Sequence, residues 1–382
     1  MVLTSILVYG SLTAIMFFSG KYAGERQAKR KRLGLDTPFF SPEIILSLLA
    51  FAFVCGARWG VGSDHLSYLK EYLYLQETGH FFSTNRFESG FTFISKIFAI
   101  CHLHFFFYFA FWAFLQLFFV LYAFKDKRYL YPYFAIIIVL GPLFFTWNNG
   151  IRQALAACIF IYSYKFIEKR QFFKYIIIIF FASLIHFSAI FCIIFYFILN
   201  RNIPFNRYWY FIFLIIGVII GRANFWTNFA NDIERISSAA GYGGNEETII
   251  SMIRSRTLGG RSLITLAICT VNIWFLPEIY KYFNYEKRIK TIFIIYFLGV
   301  AFFFMLVNTF AFSRITYFFL VFQIPSLSYL FLYAKNNKRI IYYGLIIIFI
   351  IYSLASYYLD ARLPEDNTNY NFFWNYFKIM PL

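Results

Sequence analysis

Apolar runs of roughly 15–25 residues recur along the whole chain, the length that a helix needs to cross a bilayer core. Short basic clusters separate them, at 21–32, 125–128, 165–174, 201–207, 281–290 and 335–339. A chain patterned in this way is expected to fold as an all-α polytopic transmembrane protein, with roughly 10–12 membrane segments. Composition agrees with that expectation. Of the 382 residues, 60% are hydrophobic and 14% are charged, too few charges to cover a soluble domain of this size.

The net charge of +17 invites a nucleic-acid partner. The lysines, however, concentrate in the loops between apolar runs, where the positive-inside rule places them, so no nucleic acid is expected and the clusters mark the inner face. Val2 to Gly20 lacks a basic N-terminal side and is followed by the basic run Lys21–Arg32, the reverse of a secretory signal. It reads as a first transmembrane helix with its N-terminus outside. Further helices are expected at 39–57, 105–124, 129–147, 153–168, 208–222, 262–280, 291–311, 315–334 and 340–358. Lys174 and Arg201 both belong inside, so the apolar stretch 175–199 should be a short hairpin turning near His186. Parity leaves 88–104 as an interfacial helix on the outer face.

The chain thus reads as a single integral membrane domain, 1–382, with an outer loop and interfacial helix at 58–104, an outer flap at 223–261 and an outer tail at 359–382. Cys55, Cys101, Cys158, Cys192 and Cys269 stand singly, which suggests neither a zinc site nor a disulfide framework.

On this topology the polar residues that insertion does not explain gather at the outer face. The basic residues there are mostly arginines, and arginine is the residue suited to gripping phosphate oxygens with two parallel hydrogen bonds. One constellation is Arg58-Trp-Gly-Val-Gly62-Ser-Asp64-His65-Leu-Ser-Tyr68. Its glycines allow a tight turn, Asp64 stands where a helix can begin, and Tyr68 follows one turn later. Glu88 adds a second outer carboxylate. Arg152 and Gln153 follow a short Asn-Asn-Gly turn, and His186 lies inside an apolar stretch, where an ionisable group is a functional candidate. Arg314 and Tyr317 mark a late helix end, and the flap carries Arg254 and Arg256. Each has a plainer alternative: a capped helix, an interfacial arginine anchor, a buried histidine bonded across helices, a solvated loop.

Taken in order, Arg58-x3-Gly62-x-Asp64-x3-Tyr68, Glu88-x-Gly90-Phe91, Asn149-x-x-Arg152-Gln153, His186-x-Ser188-Ala189 and Arg314-x-x-Tyr317-Phe318 resemble the EpsG/Wzy group of bacterial surface polysaccharide polymerases. The resemblance spans roughly residues 55–320. It implies a GT-C-like glycosyltransferase of the bacterial inner membrane, working at the periplasmic or outer side. Donor and acceptor would be undecaprenyl-diphosphate-linked glycans, with the bilayer and a candidate chain-length regulator protein as other partners. An acceptor hydroxyl would attack the donor anomeric carbon and release undecaprenyl diphosphate. Arg58, Arg152 and Arg314 are then candidates to neutralise the diphosphate, with Tyr68, Gln153, Tyr317, Arg254 and Arg256 as further substrate contacts. Asp64 and His186 are candidates for the base, and Glu88 stands behind them. Asp64 is slightly favoured, because an exposed turn reaches sugar more easily than a mid-span histidine. No Asp-x-Asp metal motif is present, so no metal and no cofactor are expected. A flippase for the same lipid-linked sugar and a membrane O-acyltransferase using His186 are the alternatives.

Overall fold

The computed structural model describes residues 2–82, 87–201, 203–222, 260–307, 314–360 and 368–376. Regular structure among them is helical, apart from one antiparallel bridge between Arg58 and Phe372. Five helices are long and apolar enough to cross a membrane: Val2–Arg32, Phe105–Ala123, Lys287–Met305, Arg314–Asn337 and Arg339–Ser356. Two bent pairs raise the number to seven, and shorter apolar helices lie at Pro42–Ala57, Ser89–Ile100, Phe172–Ile185 and Phe187–Leu199. The chain is an all-α polytopic membrane protein.

Two expected single spans are broken. Over 129–147, helix α6 (Tyr131–Val139) and helix α7 (Leu143–Asn149) meet at 66°. Over 262–280, a helix ending at Trp274 meets Leu276–Tyr282 at 54°. Pro142 and Pro277 lie at these breaks; proline lacks the amide proton a helix needs and pushes the preceding residue out of the helical region. The first helix, α1, runs on from Val2 to Arg32, because the basic residues after Gly20 are good helix formers.

The chain divides into two compact units. The first comprises Met1–Tyr196 and Leu327–Leu382. In it α1 packs on α2 (Pro42–Ala57) and α6, α2 on α5 (Phe105–Ala123), α5 on α8 (Ile151–Glu168), and α8 on α9 (Phe172–Ile185). Phe51, Trp112, Phe134, Phe160 and Tyr164 are sealed in this core. Within 58–104, expected as an outer loop with an interfacial helix over 88–104, that helix is α4 (Ser89–Ile100), and the loop before it adds α3 (His65–Thr78); the two pack on each other, α3 also reaching α5 and α4 reaching α9.

The stretch 175–199 doubles back as a hairpin. Helix α9 stops at Ile185, His186 is extended (φ −152°, ψ 115°), and a 3-10 turn over Phe187–Cys192 leads into α10 (Ile193–Leu199). Tyr175 donates its hydroxyl hydrogen to the Cys192 carbonyl, and the Phe172 and Tyr175 rings lie 5.0 and 5.6 Å from that of Tyr196.

The second unit is Phe197–Ser326. Its α11 (Arg207–Arg222) packs on Lys287–Met305 through Gly217 and Gly221. A side chain at either glycine would collide with the backbone of Ala301 or Phe304, so this Gly-x-x-x-Gly face lets two helix backbones approach closely.

Candidate active site

Four helix ends in the first unit bring together residues spread over more than a hundred positions. Glu88 stands just before α4 with extended backbone (φ −67°, ψ 153°), where the helix N-terminus favours negative charge. Gly90 lies against the Leu184 backbone, and a Cβ there would strike the Leu184 carbonyl oxygen. That close approach brings Glu88 to the turn of the hairpin. Glu88 Oε1 accepts the Phe187 N–H at 3.0 Å and lies 3.1 Å from His186 Nδ1. Its other oxygen forms an ion pair with Arg152 Nη1, from the first turn of α8. Arg152 Nε donates to the Tyr68 hydroxyl at 3.3 Å. The guanidinium lies over the rings of Phe87 and Phe91, at 4.8 and 5.5 Å, with Tyr68 at 6.0 Å. This aromatic box holds the arginine plane by cation–π attraction as well as by hydrogen bonds.

Only 14% of the Arg152 side chain and 17% of the Glu88 side chain are exposed, so water and salt screen the pair weakly. Burial would raise the Glu88 carboxyl. The His186 hydrogen bond, the Arg152 charge and the Phe187 N–H outweigh it and hold the group down at about 2. An ionised carboxylate can only accept, so its contact with His186 requires the proton on Nδ1. In the neutral ring with that tautomer the lone pair is on Nε2, and Nε2 has no partner among the described residues. Ser188 Oγ lies 3.5 Å from Nδ1.

Beside this cluster lies a second polar knot. Arg58 is 2% exposed. Its Nη1 donates to the Cys55 carbonyl and its Nη2 to the Asn148 carbonyl at 3.2 Å, while the guanidinium lies 5.0 Å from the Phe109 ring. Those carbonyls belong to the last turns of α2 and α7, so one cation serves two orphaned helix C-termini. His65 is fully buried, and its Nδ1 accepts the Gly60 N–H at 3.2 Å. Burial, and then the Arg58 charge, pull its pKa well below the usual histidine value, so it is neutral. Asn149 Oδ1 accepts both the Ser63 hydroxyl (2.9 Å) and the Asp64 N–H (2.7 Å), tying the start of α3 to the turn before Arg152. Gly62, at φ +88°, makes the close approach possible, since a Cβ would crowd the Asn148 and Asn149 backbone.

The segment 368–376 straps over this knot. The Tyr370 N–H bonds Ser5 Oγ at 2.8 Å, the Tyr370 hydroxyl bonds the Val54 carbonyl at 2.8 Å, and the Trp59 N–H bonds the Asn371 carbonyl at 2.8 Å. The Tyr9 hydroxyl donates to the Thr368 carbonyl at 2.9 Å, and Phe372 forms the bridge with Arg58.

A sequence model described as the EpsG family matches residues 44–377, nearly the whole chain and both constellations. The chain belongs to the EpsG family. Membership suggests a polysaccharide-polymerase role in general. No curated protein and no solved structure matches the chain.

Within this EpsG-family chain the expected site residues fall into separate places. Tyr68, Glu88, Arg152 and His186 form one cluster. Asp64 lies one turn before Tyr68, half-buried at the start of α3, and its carboxylate has no hydrogen bond or ion pair among the described residues. Arg58 departs from the expected exposed, substrate-facing position: its terminal nitrogens are taken up by carbonyls beneath the strap. Gln153 is buried on α8. Arg314 and Tyr317 belong to the second unit, at a 3-10 turn and at the start of the following helix. Arg254 and Arg256 lie outside the described residues, as does nearly all of the expected flap. Asn149 and Phe91 stand in the sequence motifs, but neither they nor Phe87 are among the expected site residues. The Asn-Asn-Gly turn was the available signal for the first; an aromatic in a chain this rich in them signals nothing by itself. Among the described residues no three His, Cys, Asp or Glu side chains group as metal ligands.

Proposed function

We propose that this chain joins undecaprenyl-diphosphate-linked repeat units into O-antigen or a similar surface polysaccharide, at the outer side of the bacterial inner membrane, on a GT-C-like scaffold. The observation that supports this reading most is the Glu88–His186 pair beside Arg152. The acceptor sugar hydroxyl attacks the donor anomeric carbon, the bond from that carbon to the diphosphate oxygen breaks, and the hydroxyl proton passes to His186 Nε2. Glu88 fixes the tautomer and stabilises the imidazolium that forms, as the carboxylate of a catalytic triad does. The departing diphosphate needs cations rather than a proton. Arg152 is the candidate in this cluster, with Arg314, Arg254 and Arg256 as further candidates. His186 thus takes precedence over Asp64 as base, because it has an orienting carboxylate and Asp64 has none.

Asp64 is assigned to the acceptor: a half-exposed carboxylate without a partner can receive a sugar hydroxyl. Arg58 is assigned to the scaffold. The test is purified protein in lipid, supplied with lipid-linked repeats. A ladder of polymer and matching release of undecaprenyl diphosphate are expected, both lost in His186→Ala. Transbilayer movement of the repeat without polymer would favour a flippase instead, and acyl transfer without polymer an acyltransferase.

A further inference from the structure

The strap does more than cover Arg58. Its 3-10 turn, Phe373–Asn375, presents Trp374, which is 46% exposed. Phe372 stacks on the indole, with ring centroids 4.2 Å apart and planes 18° from parallel, and Phe373 meets it edge-on at 5.1 Å and 74°; the rest of the indole is open. On the same stretch Tyr376 stacks on Trp59, at 5.5 Å and 13°. Asn375 is exposed next to Trp374, and Asn371 is half-buried.

We propose that this turn is a glycan-binding subsite, in which Trp374 takes the C–H face of a sugar ring and Asn375 meets its hydroxyls. A pyranose presents polarised C–H groups on one face and hydroxyls around its rim. The negative face of an aromatic ring suits the first, and amides suit the second. A flat apolar surface with a few placed polar groups is the general form of a small-ligand site.

Three features favour sugar over the obvious competitor, an aromatic anchor in the membrane interface. The strap sets the exposed Asn375 and the half-buried Asn371 among its rings, and amides are costly against hydrocarbon but useful against hydroxyls. It is pinned at Ser5, Tyr9, Val54 and Trp59, so the rings are preorganised and little entropy is lost on binding. Its rings also lead toward Asp64, assigned above to the acceptor: Trp59 contacts both the Tyr376 ring and that of the buried His65, at 5.5 and 6.3 Å, and His65 follows Asp64 directly. The occupant is the polymerised part of the glycan, beyond the sugar that reacts. That identity rests on the polymerase reading, whereas sugar binding by the turn does not.

The experiment uses the full chain in lipid nanodiscs and measures binding of lipid-free fragments, one and three repeat units long, of the producing cell's own surface polysaccharide. The three-repeat fragment should bind, and more tightly than the one-repeat fragment. Trp374→Ala and Trp374→Leu should each weaken it about tenfold or more, as truncation of a tryptophan anchor does, and Trp374→Phe should fall between. Because Trp374 is half exposed, these variants are expected to fold, and unchanged thermal unfolding checks it. No binding to the wild type, or equal binding by Trp374→Ala, overturns the subsite. Full binding by Trp374→Leu makes the residue an apolar anchor and also overturns it. Trp374-dependent binding in a protein that makes no polymer would uphold the subsite while removing the polymerase reading.

Discussion

Arg58 and Arg152 look alike in the sequence. Both stand at an outer helix end beside small or amide residues, and both were expected to hold phosphate. Their surroundings differ. Arg152 has a carboxylate, a tyrosine hydroxyl and three ring faces around it, together with a histidine whose second nitrogen has no partner among the described residues. Arg58 has two backbone carbonyls and lies beneath a strap. A buried cation that neutralises helix ends is a fastening, because its terminal nitrogens are spent on the protein's own backbone. A cation tied to a carboxylate–histidine pair sits where proton and charge can be exchanged. On the proposed function, the contrast gives one knot to stability and the other to chemistry.

The sharpest way to break that assignment is at the proton. His186→Ala should lower turnover about 10²–10⁴-fold, the usual loss for a general base, with donor binding retained. Asp64→Asn should cost less. Near-normal turnover in His186→Ala beside a collapse in Asp64→Asn would move the base to Asp64.

The arginines come next. Arg152→Lys should lose most activity while inserting and accumulating normally, since a point charge cannot reproduce the two-pronged contact. Arg58→Ala should do the opposite. It leaves two buried carbonyls short of a donor, each costing about 1–3 kcal/mol, so thermal unfolding should shift down while the folded fraction keeps its turnover. Reversal of the two phenotypes would reverse the roles.

Glu88 sharpens the comparison through pH. Its folded-state pKa is depressed, to about 2 from an ordinary 4.5. Its contribution to stability is therefore fully present above 4.5, and it is lost as pH falls through about 2. Glu88→Gln leaves Arg152 half-buried without its counter-ion and should destabilise by about 3 kcal/mol near neutrality. The gap in unfolding midpoint between wild type and Glu88→Gln should not narrow from pH 8 to pH 5 and should narrow below that. A gap that narrows between pH 7 and 5 would mean that Glu88 is not held ionised. The smallest effect is expected from chelator: turnover should be unchanged by EDTA, because arginines are assigned to the leaving group. Loss restored by Mg²⁺ would bring Asp64 and Glu88 forward as ligands.

The helical, polytopic character was legible because insertion into hydrocarbon dictates run length directly. The hairpin at His186 was legible from charge parity alone. The breaks at Pro142 and Pro277 were missed because apolarity continues through them, and hydropathy does not register a lost amide proton. Tyr68, Glu88, Arg152 and His186 were all named from motifs, yet their pairing was not visible. Glu88 ranked behind Asp64 because nothing in the spacing says that Gly90 will let α4 press against Leu184. Arg58 misled for a related reason: burial under a segment more than 300 positions away leaves no local trace.

That distance has a bearing on how the protein is made. The bond between Tyr370 and Ser5 closes a loop of 365 positions, and the bridge from Phe372 to Arg58 is nearly as long. Contacts of such high contact order form late, since the chain between them must first be ordered. During synthesis the first helices would therefore enter the bilayer with the Arg58 charge uncovered, served only by the carbonyls of α2 until α7 arrives. The strap docks after every other described helix has emerged, so protease sensitivity of 368–376 reports directly whether the Arg58 knot has closed.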